Sequence, residues 1–307
     1  MGNQKKIKSV LILGSTGMLG WKVLDTFCNY ENFKIYATYR DKKSLKLLKK
    51  KIDKKKIKRV KFLKFNILKS SDTQLKKIIQ NVSSVINCIG IIKPHIDEIN
   101  KKSENALIVN SVFPYQLSKI SSSKNIKIYQ IATDCVYSGK KGNYTEESIH
   151  DVTDIYGRTK SLGEVKNKNF YNLRCSIIGP EIKEFSSLFE WFRRQNINAK
   201  INGFSNHLWN GLTTKVYAEL LVGIIKNNIK LPNLIHIVPK NQITKYNLLI
   251  QLSKILRKNH LYIVKANSKY KINRTLKTIL KNKNLEIWQA SKFKKILTMK
   301  EILNFFN

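Results

Sequence analysis

Along the first half of the chain, short runs of aliphatic and β-branched residues take turns with longer stretches in which apolar positions recur every three or four residues. The runs predict strands at 9–13, 34–39, 60–65, 84–89, 126–132 and 171–178. The recurring positions predict helices at 17–29, 42–51, 73–80, 105–122 and 154–166. The run Val85-Ile86-Asn87-Cys88-Ile89 suits a strand covered on both faces, as a parallel sheet requires. Strand and helix in steady succession predict crossover units and a doubly wound parallel sheet, an α/β fold. After Gly179-Pro180 the rhythm changes. Helices are expected at 188–195, 215–226, 245–256 and within 285–306, with short strands near 200–201 and at 234–238. The expected organisation is a first domain over 1–178, to which segments near 205–240 return, and a smaller α/β lobe made mainly of 179–307.

Composition adds limits to this picture. At 307 residues, with 42% hydrophobic and 25% charged positions, the chain can bury a substantial core and has nothing fibrous or low-complexity about it. The longest apolar runs are strand-sized, far below the roughly 20 residues of a membrane helix. The opening Met1-Gly2-Asn3-Gln4-Lys5-Lys6 has no signal-peptide core and no Ser or Thr where a myristoylation motif needs one. The chain therefore reads as cytoplasmic, with no membrane insertion. Cys28, Cys88, Cys135 and Cys175 are scattered without a C-x-x-C pair, which suits reduced thiols. No histidine spacing points to a metal, and none is expected. The formal charge of +38 has two readings: a polyanionic partner, or a coding bias that fills every segment with Lys, Ile and Asn. The lysines run along the whole chain and no nucleic-acid motif accompanies them, so bias is favoured and no nucleic-acid partner is expected. A diffuse positive field would still draw in a nucleoside diphosphate.

Three constellations carry chemistry. Gly14-Ser15-Thr16-Gly17-Met18-Leu19-Gly20 lies between a predicted strand and helix, where glycines permit a tight turn and let a pyrophosphate reach the helix N-terminus. The spacing is G-x-x-G-x-x-G, and the context supports a dinucleotide site. Past the second strand stands Tyr39-Arg40-Asp41. An Arg there accommodates the 2′-phosphate of NADP and a carboxylate holds the ribose of NAD. Arg40 favours NADPH, Asp41 leaves NADH open. Third, Tyr156 and Lys160 stand four apart on a predicted helix and so share a face. A phenol with a pKa of about 10 needs a neighbouring ammonium to bring it toward neutral pH. Thr133, ending the fifth strand, could hold a substrate carbonyl oxygen while Tyr156 protonates it. Asn110, on the preceding helix, is a candidate support for a water or for the lysine.

These segments resemble the extended short-chain dehydrogenases, and within them the dTDP-4-dehydrorhamnose reductase group of sugar-nucleotide reductases. Beyond the constellations, the resemblance rests on Ala132-Thr133-Asp134-Cys135-Val136-Tyr137-Ser138-Gly139, Tyr144-Thr145-Glu146-Glu147, Asn172-Leu173-Arg174, Asn210-Gly211-Leu212-Thr213-Thr214 and Asn273-Arg274-Thr275-Leu276. It implies catalytic roles for Thr133, Tyr156 and Lys160. It implies a coenzyme site of Gly14 to Gly20, Arg40, Asn66, Ile67, Cys88, Ile89, Gly90 and Asn110, together with Tyr156 and Lys160. It also implies a substrate pocket of Thr133, Asp134, Val136, Trp209, Asn210 and Arg274. Two departures stand out. Asn66-Ile67 replaces the family's Asp beside the adenine. Cys135 occupies the position where 4,6-dehydratase relatives carry an acid, which favours keto reduction or epimerisation over dehydration. Trp209 and His207 could stack on substrate or pack between lobes. The function implied is reduction of a 4-keto-deoxysugar nucleotide by NADPH or NADH in surface-polysaccharide biosynthesis. The alternatives are an epimerase or dehydratase with tightly bound NAD and a non-catalytic dinucleotide-binding regulator. A homodimer is left open.

Overall fold

The computed structural model describes residues 7–96 and 102–306. Residues 1–6, on which the reading of the chain's opening rests, lie outside the described residues.

The first strand shows why the sheet is buried on both sides. In β1 (Lys8–Leu13), Val10 and Ile12 enter one apolar cluster while Leu11 and Leu13 enter another. A period of two in a wholly apolar run buries alternate side chains on opposite faces. The chain continues through α1 (Met18–Phe27), β2 (Phe33–Tyr39), α2 (Lys42–Lys51), α3 (Lys54–Ile57), β3 (Val60–Lys64) and α4 (Asp72–Ile79) to β4 (Ser84–Asn87). Next come α5 (Lys102–Leu107), α6 (Phe113–Ser122), β5 (Lys127–Thr133), α7 (Ile155–Leu162) and β6 (Phe170–Cys175). They are followed by β7 (Ile177–Ile178), α8 (Leu188–Arg193), β8 (Lys200–Phe204), β9 (His207–Trp209), β10 (Leu212–Thr213), α9 (Thr214–Lys226) and β11 (Leu234–His236). The last stretch holds β12 (Ile243–Thr244), α10 (Lys245–Ile255), β13 (Tyr262–Ala266), β14 (Ile272–Asn273), α11 (Lys281–Ala290) and α12 (Met299–Leu303).

Seven strands make one parallel sheet in the order β11-β6-β5-β4-β1-β2-β3. The direction of winding reverses between β1 and β4, so the loops leaving their C-terminal ends diverge and open a crevice. One face of the sheet is covered by α1, α9 and α11 through Val23, Leu24, Leu220, Ile224 and Trp288. The other is covered by α4 and α6 through Leu75, Phe113 and Leu117. Each such side chain contributes on the order of 2 kcal/mol by leaving water. The helix α9 is apolar nearly all round because it lies between α1 and α11. A separate apolar cluster of Phe189, Phe192, Ile201, Leu248, Leu252 and Leu303 gathers α8, α10, α12 and the β8–β13 pair. Among the described residues no helix is long and apolar enough to cross a membrane.

Three predicted elements differ in form. The helix expected over 105–122 contains a π-helical segment, Ile108–Val112, between α5 and α6. Pro114 has no N–H to offer the carbonyl of Asn110, four residues earlier, so the regular ladder cannot close there. Gly163 packs against that carbonyl, where an added Cβ would stand 1.9 Å from the oxygen. The helix expected to reach 166 instead stops at Leu162, with Gly163 as its C-terminal cap. The strand expected over 171–178 breaks at Ser176: β6 stays in the main sheet, and β7 leaves it to pair with β10.

Candidate active site

At the end of β1 the chain turns through Gly14, whose φ of +75° lies in the left-handed region that favours glycine. Gly20, in the first turn of α1, is pressed so close that a Cβ would stand 2.1 Å from the Gly14 carbonyl oxygen. Gly17 caps α1 with no side-chain hydrogen bond and no acidic residue in the first turn. The helix N-terminus therefore faces the crevice as bare backbone, a cradle for an anion. Thr16, Gly17, Met18 and Leu19 line a cavity of about 350 Å³ above it. Gly14, Thr16 and Gly17 line a neighbouring cavity of about 450 Å³ that runs to Arg40, Asn66 and Ile67. Cys88, Ile89 and Gly90, leaving β4, line both. The two halves form one cleft along the carboxyl edge of the sheet. An unobstructed backbone turn in its middle and a guanidinium at one end fit a dinucleotide.

Not every residue expected of the coenzyme site meets the cleft. Ser15 is fully buried, and its hydroxyl donates to the Thr38 carbonyl at 2.8 Å, bracing the turn from behind. Gly20 serves the close approach described above. Asn110 accepts from the Ile91 amide and donates to the Ile91 carbonyl, both at 2.9 Å, and donates to the Thr159 hydroxyl at 3.1 Å. It ties the β4 loop to α7 and stands behind the site instead of in it. Asn66 lines the cleft while its side chain accepts from the Leu68 amide, fixing the turn after β3. The competition between Arg40 and Asp41 resolves locally. Asp41 caps α2, accepting from Ser44 N at 2.7 Å and Ser44 Oγ at 2.9 Å. The hydrogen bond from the Ser44 amide holds its carboxyl below the usual range. Arg40, not Asp41, faces the cavity.

Thr133, Tyr156 and Lys160 all line the 350 Å³ cavity. Thr133 ends β5, and Asp154 starts α7 by accepting from the Gly157 amide at 3.0 Å, which sets the phase of Tyr156 and Lys160. The Thr133 hydroxyl donates to Asp134 Oδ1 at 3.3 Å. Burial pushes the Tyr156 phenol pKa up, Cys135 adds to the rise, and the nearby Thr133 side chain only partly opposes it. Desolvation, not Lys160, dominates at the phenol, against the expectation that the lysine brings it toward neutral pH. Lys160 donates to the Ile131 carbonyl at 3.1 Å, and burial lowers its pKa from 10.5 to about 8, with Glu164 opposing.

The buried ammonium has a stability consequence. Between pH 8 and 10.5 the unfolded chain binds the proton that the folded chain has released, so wild-type stability rises with pH across that window. Lys160→Met should abolish that part of the rise and stabilise the protein at pH 7 by roughly 1–3 kcal/mol. Thermal unfolding of both proteins at pH 7 and pH 10 checks this; a less stable variant at pH 7 contradicts it.

Of the expected substrate residues, Thr133 and Asp134 line the cavity. The others stand away from it. Val136 is fully buried against Tyr137, Tyr144 and Leu276. Asn210 clamps the backbone of Leu276, donating to its carbonyl at 2.7 Å and accepting from its amide at 2.9 Å. Trp209 packs between two apolar clusters, and His207 lies against the Phe204 ring at 4.8 Å, which places both in packing. Arg274 donates to the Tyr137 carbonyl at 2.9 Å. It lies near enough to Asp134 to oppose the upward push of burial on that carboxyl. Residues not anticipated also line the cavity: His95, Ser176 and the strap Glu181 to Ser187. The strap follows β7, just beyond the end of β6, and the rule that ligands gather at strand C-terminal ends was the signal for it.

Comparison with known proteins places this architecture. Methionine adenosyltransferase 2 subunit beta of Xenopus laevis is 24% identical over 78% of this chain and 70% of its own length. A dTDP-4-dehydrorhamnose reductase of Bacillus anthracis, solved in complex with NADP, shares the fold at a TM-score of 0.70. It is 14% identical, over 98% of both chains. A UDP-glucuronic acid 4-epimerase of Bacillus cereus, solved with NAD and a UDP-sugar analogue, gives a TM-score of 0.74 at 17% identity over 96% of both chains. The pattern of the RmlD substrate binding domain matches residues 8–297, and the chain accordingly belongs to that family.

Proposed function

We propose that the chain reduces the keto group of a sugar nucleotide, with a 4-keto-deoxysugar as substrate and NADPH as the preferred coenzyme. The observation that carries this is the convergence of the Thr133 hydroxyl, the Tyr156 phenol and the Lys160 ammonium on one cavity beside the glycine turn. The reduced nicotinamide, when bound, supplies the hydride. The Gly14–Leu19 turn would hold its pyrophosphate, Arg40 its 2′-phosphate and Lys160 its ribose. Tyr156 donates its proton to the ketone oxygen. Pushed up by burial, the phenol is protonated near neutral pH and so carries the proton it is to give. Thr133, on the wall of the same cavity, holds the same oxygen. The Lys160 ammonium, buried on the same helix face, balances the charge left when the proton goes. Cys135 supports reduction over dehydration: burial, then Asp134, push its thiol up to about 12, so it cannot serve as a base near neutral pH. The lobe built around α8, α10 and α12 is assigned to the substrate, with Asp134 and Ser176 at the boundary.

The epimerase neighbour favours a second reading, in which bound NAD is recycled, and the methionine adenosyltransferase subunit favours a third, dinucleotide binding without chemistry. Following reduced-coenzyme absorbance with a panel of 4-keto sugar nucleotides separates the three. Stoichiometric oxidation supports reduction, sugar conversion without net oxidation marks an epimerase, and binding without conversion leaves the regulator. The coenzyme assignment predicts that Arg40→Ala weakens NADPH binding by about tenfold and leaves NADH within about twofold, since one exposed guanidinium–phosphate contact is lost. Equal losses for both coenzymes would remove Arg40 from the 2′-phosphate.

A further inference from the structure

The two halves of the cleft meet at a waist. One wall is the glycine turn with Cys88 to Gly90; the other carries His95, Lys183 and Glu184. We infer that Lys183, with His95 beside it, clamps the dinucleotide pyrophosphate from the side opposite the glycine turn, and that Glu184 is the exchangeable counter-ion of Lys183. This rests on the dinucleotide reading above and adds to it a contact from beyond the sheet domain.

The geometry of Glu184 carries the argument. One carboxylate oxygen lies 3.4 Å from Lys183 Nζ and the other 3.2 Å from His95 Nε2. A single carboxylate thus bridges the Lys183 ammonium and the His95 ring in the part of the cleft that Thr16 and Gly17 also line. At that point of the cleft the glycine turn offers a pyrophosphate neutral amides, and Lys183 supplies the positive charge once Glu184 gives way. Glu184 is the most exposed of the three at 46%, against 22% for Lys183 and 39% for His95. The carboxylate can therefore swing out while the ammonium stays in place.

The strap that presents them is held in shape. Glu181 accepts from the Ser187 amide at 2.6 Å and the Ser186 amide at 3.3 Å, closing the loop on itself. Trp21 donates to the Pro180 carbonyl at 2.8 Å, fixing the loop to α1, and Arg194 lies over the Phe185 ring at 4.0 Å. Glu184 and Phe185 take φ of +71° and +53°, a backbone that non-glycine residues keep only when their surroundings impose it. Lys183 also contributes, after Ser44, to the lowered Asp41 carboxyl, so its charge reaches toward Arg40. The 2′-phosphate is thus the competing target.

Direct titration of wild type, Lys183→Met and Glu184→Gln with NADPH, NADH and ADP-ribose decides between them. ADP-ribose has the pyrophosphate and neither the nicotinamide nor the 2′-phosphate. Lys183→Met should weaken all three by about tenfold, and Glu184→Gln should tighten all three by roughly threefold, because the displaced counter-ion is gone. Unfolding temperatures of the ligand-free proteins should be unchanged. A loss confined to NADPH would overturn the clamp and assign Lys183 to the 2′-phosphate. Unchanged binding of all three would overturn it outright. A wild type that binds none would overturn the dinucleotide reading and the clamp together.

Discussion

Replacing Tyr156 with Phe should lower turnover by roughly 10²–10⁴-fold while leaving coenzyme affinity within about twofold. The substitution removes one oxygen and keeps the ring, so the cavity wall survives and only the proton donor is lost. Thr133 keeps its Oγ at the site, where it accepts from the Cys135 amide at 3.2 Å. Thr133 still has no proton to give at useful cost. The pH profile sharpens the test. With burial pushing the phenol up, the alkaline fall of wild-type activity should not trace a phenol titration near its ordinary range. It should follow Lys160, whose pKa burial brings down to about 8, as the ammonium that balances the departing proton discharges. Steady-state rates between pH 6 and 10, with saturating coenzyme, check both statements. An unchanged kcat in the Phe variant would remove Tyr156 from the chemistry.

Periodicity located the sheet because a strand buried on both faces carries a continuous apolar run, as Val10 to Leu13 in β1 and Val85-Ile86 in β4 do. It located the glycine turn and the Thr133, Tyr156, Lys160 set because strand ends and helix spacing place those residues on one edge. It could not distinguish residues that line a cleft from residues that brace it. Ser15, Asn110, Val136 and Asn210 have the composition of site residues, yet each spends its polar groups or its bulk on neighbouring backbone. The smaller lobe was less legible for a different reason. Its strands are two to five residues long, and β13 finds its partner in β8 across a large stretch of chain, so alternation has little length in which to appear. The strap that lines both cavities is polar and irregular, the kind of segment whose conformation is set by its own hydrogen bonds and not by hydrophobic pattern.

Arg174→Met should destabilise the protein by about 3–5 kcal/mol, the cost of breaking a buried ion pair from one side. The Arg174 side chain is fully buried on β6, and all five of its N–H groups are used. Nε donates to Glu164 at 3.2 Å, and Nη2 donates to the second Glu164 oxygen and to His150 Nε2 at 2.8 Å. Nη1 donates to the Tyr137 hydroxyl and to His236 Nε2 at 2.8 Å. Both histidines act as acceptors toward a guanidinium and must be neutral. Burial first, and the Arg174 charge with it, lowers their pKa values, that of His236 to about 4. Met fills the space but leaves a carboxylate and three acceptors without donors. Against a total stability of roughly 5–15 kcal/mol, that loss should appear as a large drop in unfolding temperature. Removing both charges with Arg174→Met and Glu164→Leu should recover much of it, since no carboxylate then stays unpaired. The network also sets an acid limit. His236 binds a proton in the unfolded chain below about 6.5 and in the folded chain only near 4. Stability should therefore fall as pH drops through that window and level off below it. Glu164 follows the helix that carries Tyr156 and Lys160, so the two hydrogen bonds from Arg174 to Glu164 hold that helix from its far end. A single Arg174→Met variant with wild-type denaturant and thermal midpoints would show that this cluster is not what fixes that helix.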